Sequence, residues 1–330
     1  MARLAVTVGD PAGIGPEVLV KTLAAWAPPE VLVIGDAATW AAAQRIAGVT
    51  VPARPADRPG PASAGVPFLD LPPADRSWRL GEMSPAAGRA AAQWLEHAVR
   101  LALDGAADAV VFAPLNKEAL MRAGYPVRDE YDLVASLAGA AEHDEVNVIP
   151  HPGGGDLLWV ARVTSHAALR EVASLLSMDR VLRTVRLAHR VAAAAGTRAP
   201  RIGVAAFNPH AGEGGLLGDE EIRVIRPAVE KAAAEGIDAS GPHPADHVFR
   251  RARAGAFDAV VAMYHDQAQI ATKLLGFERG VSVGVGYPFV LATPSHGTAF
   301  DMAGTGVADP SPMAQALRLA WRLADAGFRI

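Results

Sequence analysis

Cysteine is absent from the 330 residues, which excludes disulfides, thiolate metal ligands and a cysteine nucleophile together. No apolar stretch approaches the roughly 20 residues needed to span a bilayer. The opening MARLAVTVGD carries one Arg and an apolar run too short for a secretory signal before a Gly-Asp-Pro turn breaks it. With 20% charged residues, a formal net charge of −4 and no large Lys/Arg cluster, nothing invites nucleic acid or an acidic membrane. Arg250, Arg251 and Arg253 form a short patch that reads as a solvated helix face. Internal repeats and coiled-coil heptads are lacking too. These absences predict a soluble, cytoplasmic protein without nucleic-acid or membrane partners, long enough for one large domain or two ordinary ones.

What is present is an alternation of short apolar runs with longer stretches of helical period. The runs at Leu4–Val8, Val31–Ile34, Ala109–Phe112, Leu157–Val163, Ile202–Phe207, Ala259–Met263 and Val281–Val285 predict strands. Several are continuously apolar, as strands buried on both faces are. Helices are expected at Glu17–Trp26, Ala86–Leu103, Arg180–Ala195, Glu220–Glu235 and Met313–Asp325. In the fourth, Ile222, Ile225 and Val229 share a face, and Pro227 requires a kink or a break. The proline-rich stretch 52–67 reads as a surface connection. The pattern as a whole predicts an α/β fold with mainly parallel sheets.

The histidines are the most informative residues. His166, His210 and His265 each follow a predicted buried strand by one to a few residues. Ligands of open α/β sheets gather outside the carboxyl ends of the strands, so three imidazoles delivered there can meet around one ion. A lone histidine at a strand end is more often a hydrogen-bonded loop residue, and sequence cannot show that the three strands are neighbours. Asp266, beside His265, and Asp246, between His243 and His247, add carboxylates that can orient a ring or join a coordination shell. The other histidines are read as surface or supporting residues, His296 excepted.

Two glycine-bearing segments compete for a phosphate-binding role. Gly9–Glu17 (GDPAGIGPE) sits between the first strand and a helix, yet has neither dinucleotide nor P-loop spacing, and a tight turn with Pro16 at the first helical position explains it equally well. The second is 295–310, SHGTAFDMAGTGVADP, where Gly297, Gly304 and Gly306 would let backbone approach a ligand and Asp301 could accept from ribose hydroxyls. The plain alternative is a connection before the last helix.

His296-Gly297-Thr298-Ala299, Asp301, Ala303-Gly304, Gly306 and Ala308-Asp309-Pro310 resemble the NAD-binding loop of the isopropylmalate and isocitrate dehydrogenase superfamily. Together with GDPAGIGPE, Asn208–Gly215 (NPHAGEGG) and Met263–Gln267 (MYHDQ), in the same order over nearly the whole chain, the sequence resembles the 4-hydroxythreonine-4-phosphate dehydrogenase family. The resemblance implies two α/β domains flanking a cleft, one from 1–125 with 286–330 and associated with NAD, the other from 126–285 and carrying metal, substrate and dimer contacts. It implies a homodimer in which His166, His210 and His265 ligate one divalent ion, one of them contributed across the subunit interface. Zinc heads the candidate metals, with cobalt, nickel, manganese or magnesium compatible. Asp246, Asp266 and Lys273 would line the substrate site, with Lys117 at a family lysine position. His296, Gly297, Thr298, Asp301 and Gly304 would hold NAD.

Departures from the family pattern bear on the substrate. Asp129-Glu130-Tyr131-Asp132 stands where the biosynthetic enzymes carry Gly-His-Thr-Glu, Ser282 where they carry Asn, and Leu291 where they carry Arg. A carboxylate at Glu130 repels phosphate, and losing a bidentate guanidinium is not conservative. Arg128 and Arg279 would compensate in part. The changes resemble the branch that oxidises non-phosphorylated diol carboxylates, such as the cis-dihydrodiol of terephthalate. The expected reaction is NAD-dependent oxidation of a secondary alcohol of a hydroxy acid, followed by decarboxylation of the β-keto acid. An acyltransferase acting on phosphate or coenzyme A shares the fold type but has no use for three strand-end histidines. A non-catalytic sensor would have lost some of them.

Overall fold

A computed structural model describes residues 1–154, 157–276 and 279–329, which divide into two compact units, 1–144 with 281–330 and 145–280. Residues 126–144 and 281–285 therefore go with the first unit and not with the second. Tyr287 donates its hydroxyl proton to the carbonyl of Tyr131 at 3.0 Å, tying the 126–144 segment to the returning chain.

The strands, in chain order, are β1 (Arg3–Thr7), β2 (Glu30–Gly35), β3 (Ala53–Pro55), β4 (Gly60–Pro61), β5 (Val66–Asp70), β6 (Ala109–Phe112), β7 (Asp144–Pro150), β8 (Leu157–Arg162), β9 (Ile202–Ala205), β10 (Ala239–His243), β11 (Ala259–Ala262), β12 (Val281–Val285) and β13 (Val290–Pro294). In the first unit the order is β12-β13-β6-β1-β2-β5-β3, parallel except for β12 against β13, with β4 antiparallel beside β2. In the second it is β10-β9-β11-β8-β7, parallel except for β7 against β8. The continuously apolar runs are the inner strands: β6, β8, β9 and β11 are buried along their whole length. Helices cover them by amphipathic faces. In Pro85–Leu103 that face is Ala87, Ala90, Ala91, Trp94, Leu95 and Ala98, and the Trp94 indole donates to the Leu71 carbonyl at 2.9 Å.

Two expectations are corrected. The stretch 52–67 is not all connection, because β3, β4 and the start of β5 lie in it. Its prolines are tolerated since β3 is the last strand of its sheet and β4 lies off the main strand order. The helix expected over 220–235 is split into a π-helical turn, Glu221–Ile225, and an α-helix, Arg226–Ala234, with Pro227 in the latter's first turn. Ile225 and Val229 are buried as expected, but the wide turn rotates the face, leaving Ile222 43% exposed and Glu221 only 1% exposed.

Candidate active site

In the second unit β8, β11 and β9 are adjacent and parallel, so the three histidine-bearing strands are neighbours. The β8 and β11 ends continue as a ladder past the strands. Val163 N donates to Ala262 O at 2.9 Å, and both the amide and the hydroxyl of Thr164 donate to Met263 O. That ladder brings the His166 and His265 rings to a centroid distance of 5.5 Å. Asp266 meets His265 Nδ1 at 2.7 Å, engaging that nitrogen and leaving Nε2 as the ring's other donor atom. Gln267 braces the ends of β11 and β9, accepting from Met263 N at 2.7 Å and donating to Ala206 O at 2.8 Å.

His210 is placed differently. From His210 to Gly214 the backbone is left-handed at every residue, with φ between 45° and 78°. Three of these residues, His210, Ala211 and Glu213, have a Cβ, and each costs roughly 1–2 kcal/mol in this conformation. Such strain persists only where the surroundings over-determine it. The buried Glu221 carboxylate supplies that constraint. Its Oε1 accepts from Phe207 N at 2.8 Å and Asn208 N at 2.7 Å, and its Oε2 accepts from Asn208 Nδ2 at 3.0 Å. The turn carries the His210 side chain outward, 70% exposed, against Glu213 at 3.0 Å. Among the described residues no group of three or more His, Asp or Glu side chains placed to hold a metal ion is found.

Asp246 lies in the first turn of the helix Ala245–Arg253, with its side chain 70% exposed and 3.6 Å from His247. Lys273 lies eight residues beyond His265 on the helix His265–Gly276, about 12 Å along its axis. Lys273 and Arg279 line one hollow with Pro150, His151 and Pro152. His151 is structural: its Nε2 meets Phe257 O at 2.8 Å and its Nδ1 accepts from Gly153 N.

In the first unit the two glycine segments form one construction. Ile14 N donates to Thr298 O at 3.0 Å, and a Cβ on Gly13 would stand 2.8 Å from Thr298. Lys21 Nζ bonds Glu17 Oε1 at 2.7 Å and the carbonyls of Gly306 and Ala308 at 2.8 Å, while Ala308 N donates to Glu17 Oε1 at 2.9 Å. GDPAGIGPE is thus the cradle of the second loop. Thr298 is buried beneath it, whereas Asp301, Gly297 and Gly304 are exposed. A Cβ on Gly297 would meet nothing within 4 Å, so the backbone there is open to a ligand. His296 Nδ1 meets Gly297 O at 3.0 Å, its Nε2 is buried without a partner among the described residues, and burial lowers its pKa.

Lys117 is exposed at the start of its helix, just beyond the carboxyl end of β6 and beside the loop after β1. Asp10 of that loop is fully buried, accepts from Ala12 N through Oδ1, and has its carboxyl pKa pushed by burial up to about 6. The expected substrate residues fare unevenly. Glu130 is half-buried in the first turn of Glu130–Ala138. Tyr131 packs edge-on against Phe112, and Leu291 is wholly buried against Gly284. Ser282 is buried too, its hydroxyl 3.3 Å from that of Ser295. Tyr131 and Leu291 are packing residues of the core, because a pleated strand and an amphipathic helix turn them inward. Arg128 is held by Asp132 at 2.7 Å, which lowers that carboxyl's pKa to about 2, whereas Arg279 shares its hollow with Lys273.

Sequence reasoning passed over Glu17, Lys21, Glu221 and Gln267. The first two had a signal in their i, i+4 acid–base spacing; Glu221 had none, since only the π-turn buries it.

The family model described as pyridoxal phosphate biosynthetic protein PdxA matches residues 27–320. The D-threonate 4-phosphate dehydrogenase of Cupriavidus necator is 42% identical, over 97% of this chain and 97% of its own. The crystal structure of 4-hydroxythreonine-4-phosphate dehydrogenase from Klebsiella pneumoniae is 40% identical with a TM-score of 0.80, covering 98% of each chain. That of a terephthalate 1,2-cis-dihydrodiol dehydrogenase from Burkholderia xenovorans is 29% identical with a TM-score of 0.69, covering 97% and 98%. The greater likeness is to proteins named for phosphorylated substrates, so the expectation of a non-phosphorylated diol carboxylate is not supported. No helix among the described residues is long and apolar enough to cross a membrane.

Proposed function

The chain belongs to the PdxA family, and from that premise we propose an NAD- and divalent-metal-dependent dehydrogenase that oxidises a secondary alcohol of a phosphorylated hydroxy acid. Decarboxylation follows where the substrate's carboxylate lies β to the new ketone. The observation that carries the reading is the His166–His265 pair, two imidazoles 5.5 Å apart at the carboxyl ends of neighbouring parallel strands. The donor set fits a divalent ion. Asp266 engages His265 Nδ1, as carboxylates beside metal-bound histidines do, and zinc is the first candidate for such nitrogen ligands.

The third ligand is His210 of the partner subunit in a homodimer. A histidine held outward on a strained turn, in a chain without an internal third ligand among its described residues, supports that assignment. The cofactor loop 296–310 fits NAD by its open backbone at Gly297 and the unpartnered His296 Nε2. When bound, the ion would supply Lewis acidity toward the hydroxyl oxygen, and NAD, held by the 296–310 loop, would supply the hydride acceptor.

The chain's own residues do the rest. Asp266 fixes the ring of His265. Asp301 accepts from the cofactor's ribose, and its charge disfavours the additional phosphate of NADP. Lys273 and Arg279 hold the substrate phosphate, replacing the guanidinium that Leu291 lacks. Lys117 carries the proton released from the hydroxyl.

The test is NADH formation with phosphorylated hydroxy acids, D-threonate 4-phosphate among them, against unphosphorylated diol carboxylates, with and without chelator. Turnover of the phosphorylated acids that stops on metal removal is expected. Undiminished turnover after complete metal removal sinks the metal assignment, and turnover of only the unphosphorylated compounds sinks the substrate class.

A further inference from the structure

We infer that Arg162 is a positioning residue, whose hydrogen bonds fix the spacing of His166 and His265; this rests on the metal reading above. Arg162 is the last residue of β8, and its side chain is fully buried. By the alternation of a strand it points to the same face as Leu158 and Val160. Those two belong to an apolar cluster with Ile149, Ala262 and Ala268. A leucine at 162 would extend that cluster with no charge to desolvate. A buried ion pair replaced by well-packed apolar residues often leaves a protein equally stable or more so. Stability therefore does not account for an arginine at this position.

The directions of its bonds do account for it. Nη2 donates to Glu145 Oε1 at 2.5 Å, and that carboxylate, on the neighbouring strand β7, neutralises the charge. Nε donates to Ser165 Oγ at 3.1 Å, and Ser165 immediately precedes His166. Nη1 donates to Oδ1 of the buried Asn147 at 2.5 Å, and the same oxygen accepts from Gln269 Nε2 at 2.7 Å. Gln269 stands one turn beyond His265 on the helix His265–Gly276. One guanidinium thus holds the residue before one imidazole and, through a single amide oxygen, the helix that begins with the other. The backbone ladder between β8 and β11 ends at Thr164 and Met263, short of both histidines, so these side chains extend the bracing to them. A planar fork of donors sets direction as a lysine ammonium cannot. Outer contacts that orient metal ligands typically change affinity by roughly 10–100-fold.

The test measures Zn²⁺ affinity by chelator competition, and the visible absorption of the Co²⁺-loaded protein, on the full-length chain and two variants. The first pairs Arg162→Met with Glu145→Leu, removing charge and countercharge together, so its thermal midpoint should stay close to that of the parent. Its Zn²⁺ dissociation constant should nevertheless rise about tenfold or more, and its Co²⁺ absorption, which reports ligand geometry, should change. Gln269→Leu, at a half-buried position, cuts only the tie to the helix; it should weaken Zn²⁺ in the same direction and serves if the paired variant does not fold. Sedimentation of each variant separates altered ligand spacing from altered subunit assembly. Parental affinity and absorption in every folded variant, or metal lost only together with subunit assembly, overturns the inference while the metal reading stands. A parent chain that binds neither ion overturns both.

Discussion

The carboxylate of Glu221 and the amide of Asn208 meet at 2.7 Å inside the protein, thirteen residues apart in the chain. Through that bond, and two more to Phe207 N and Asn208 Nδ2, a buried acid on a π-helical turn anchors the strand end from which the left-handed His210 segment departs. Glu221→Ala removes the acceptor of two part-buried amides, Phe207 N and Asn208 N, while Asn208 Nδ2 keeps Glu220 at 2.7 Å, and should lower stability by about 1–3 kcal/mol. Glu221→Gln keeps an acceptor for the two amides but sets an NH₂ against Asn208 Nδ2, and should lose less. Denaturant unfolding with metal content measured on the folded fraction checks both. Full metal occupancy in Glu221→Ala would show that the anchor does not serve His210.

Asp266 is 74% exposed, so Asp266→Asn should leave the fold intact. Its bond to His265 Nδ1 orients the ring, and losing the charge should weaken metal affinity about 10–100-fold. Chelator competition measures this directly. Unchanged affinity would remove Asp266 from the metal's support.

Burial pushes the Asp10 carboxyl pKa up to about 6, above the 3.8 of an exposed group. The folded state therefore holds a proton that the unfolded state has released between those values. Stability is highest below about pH 4 with respect to this group, and falls by up to about 3 kcal/mol as pH rises to about 6. Asp10→Asn cannot ionise and keeps the acceptor for Ala12 N. Its stability relative to the parent should rise over that interval and then level off, as urea unfolding at pH 5 and pH 8 will show.

Leu291→Arg restores the residue type of the family pattern but places a guanidinium where the side chain is wholly buried against the core. A loss of about 3 kcal/mol or more is expected, without tighter substrate phosphate binding. Thermal unfolding and KM for a phosphorylated acid test it. A stable variant with a lowered KM would return the phosphate site to position 291.

Much of the fold is legible in the sequence because strands buried on both faces need continuous apolar runs. Ala109–Phe112 and Val281–Val285 are found at the very residues expected. The strands that escaped notice include outer ones, β3 and β10, each with a proline that their edge position tolerates. The helix with Pro227 was half legible. Proline foretold a break, but not that the break would widen into a π-turn, expose Ile222 and bury Glu221.

By itself the sequence determined the residue types of the site: imidazoles at strand ends, a carboxylate beside one of them, glycines around Asp301, and the order of motifs that marks the family. Tertiary structure decided which of these meet. Parallel pairing of β8 with β11 brings His166 to His265, while a left-handed turn, which local sequence preference opposes, sends His210 outward. The Glu17–Lys21 pair binds the GDPAGIGPE segment to the loop at 306–308, almost three hundred residues away. Leu291 and Tyr131 turned out to be core. Periodicity and residue type are local properties, whereas adjacency, burial and the side to which a strained turn points depend on packing between distant segments.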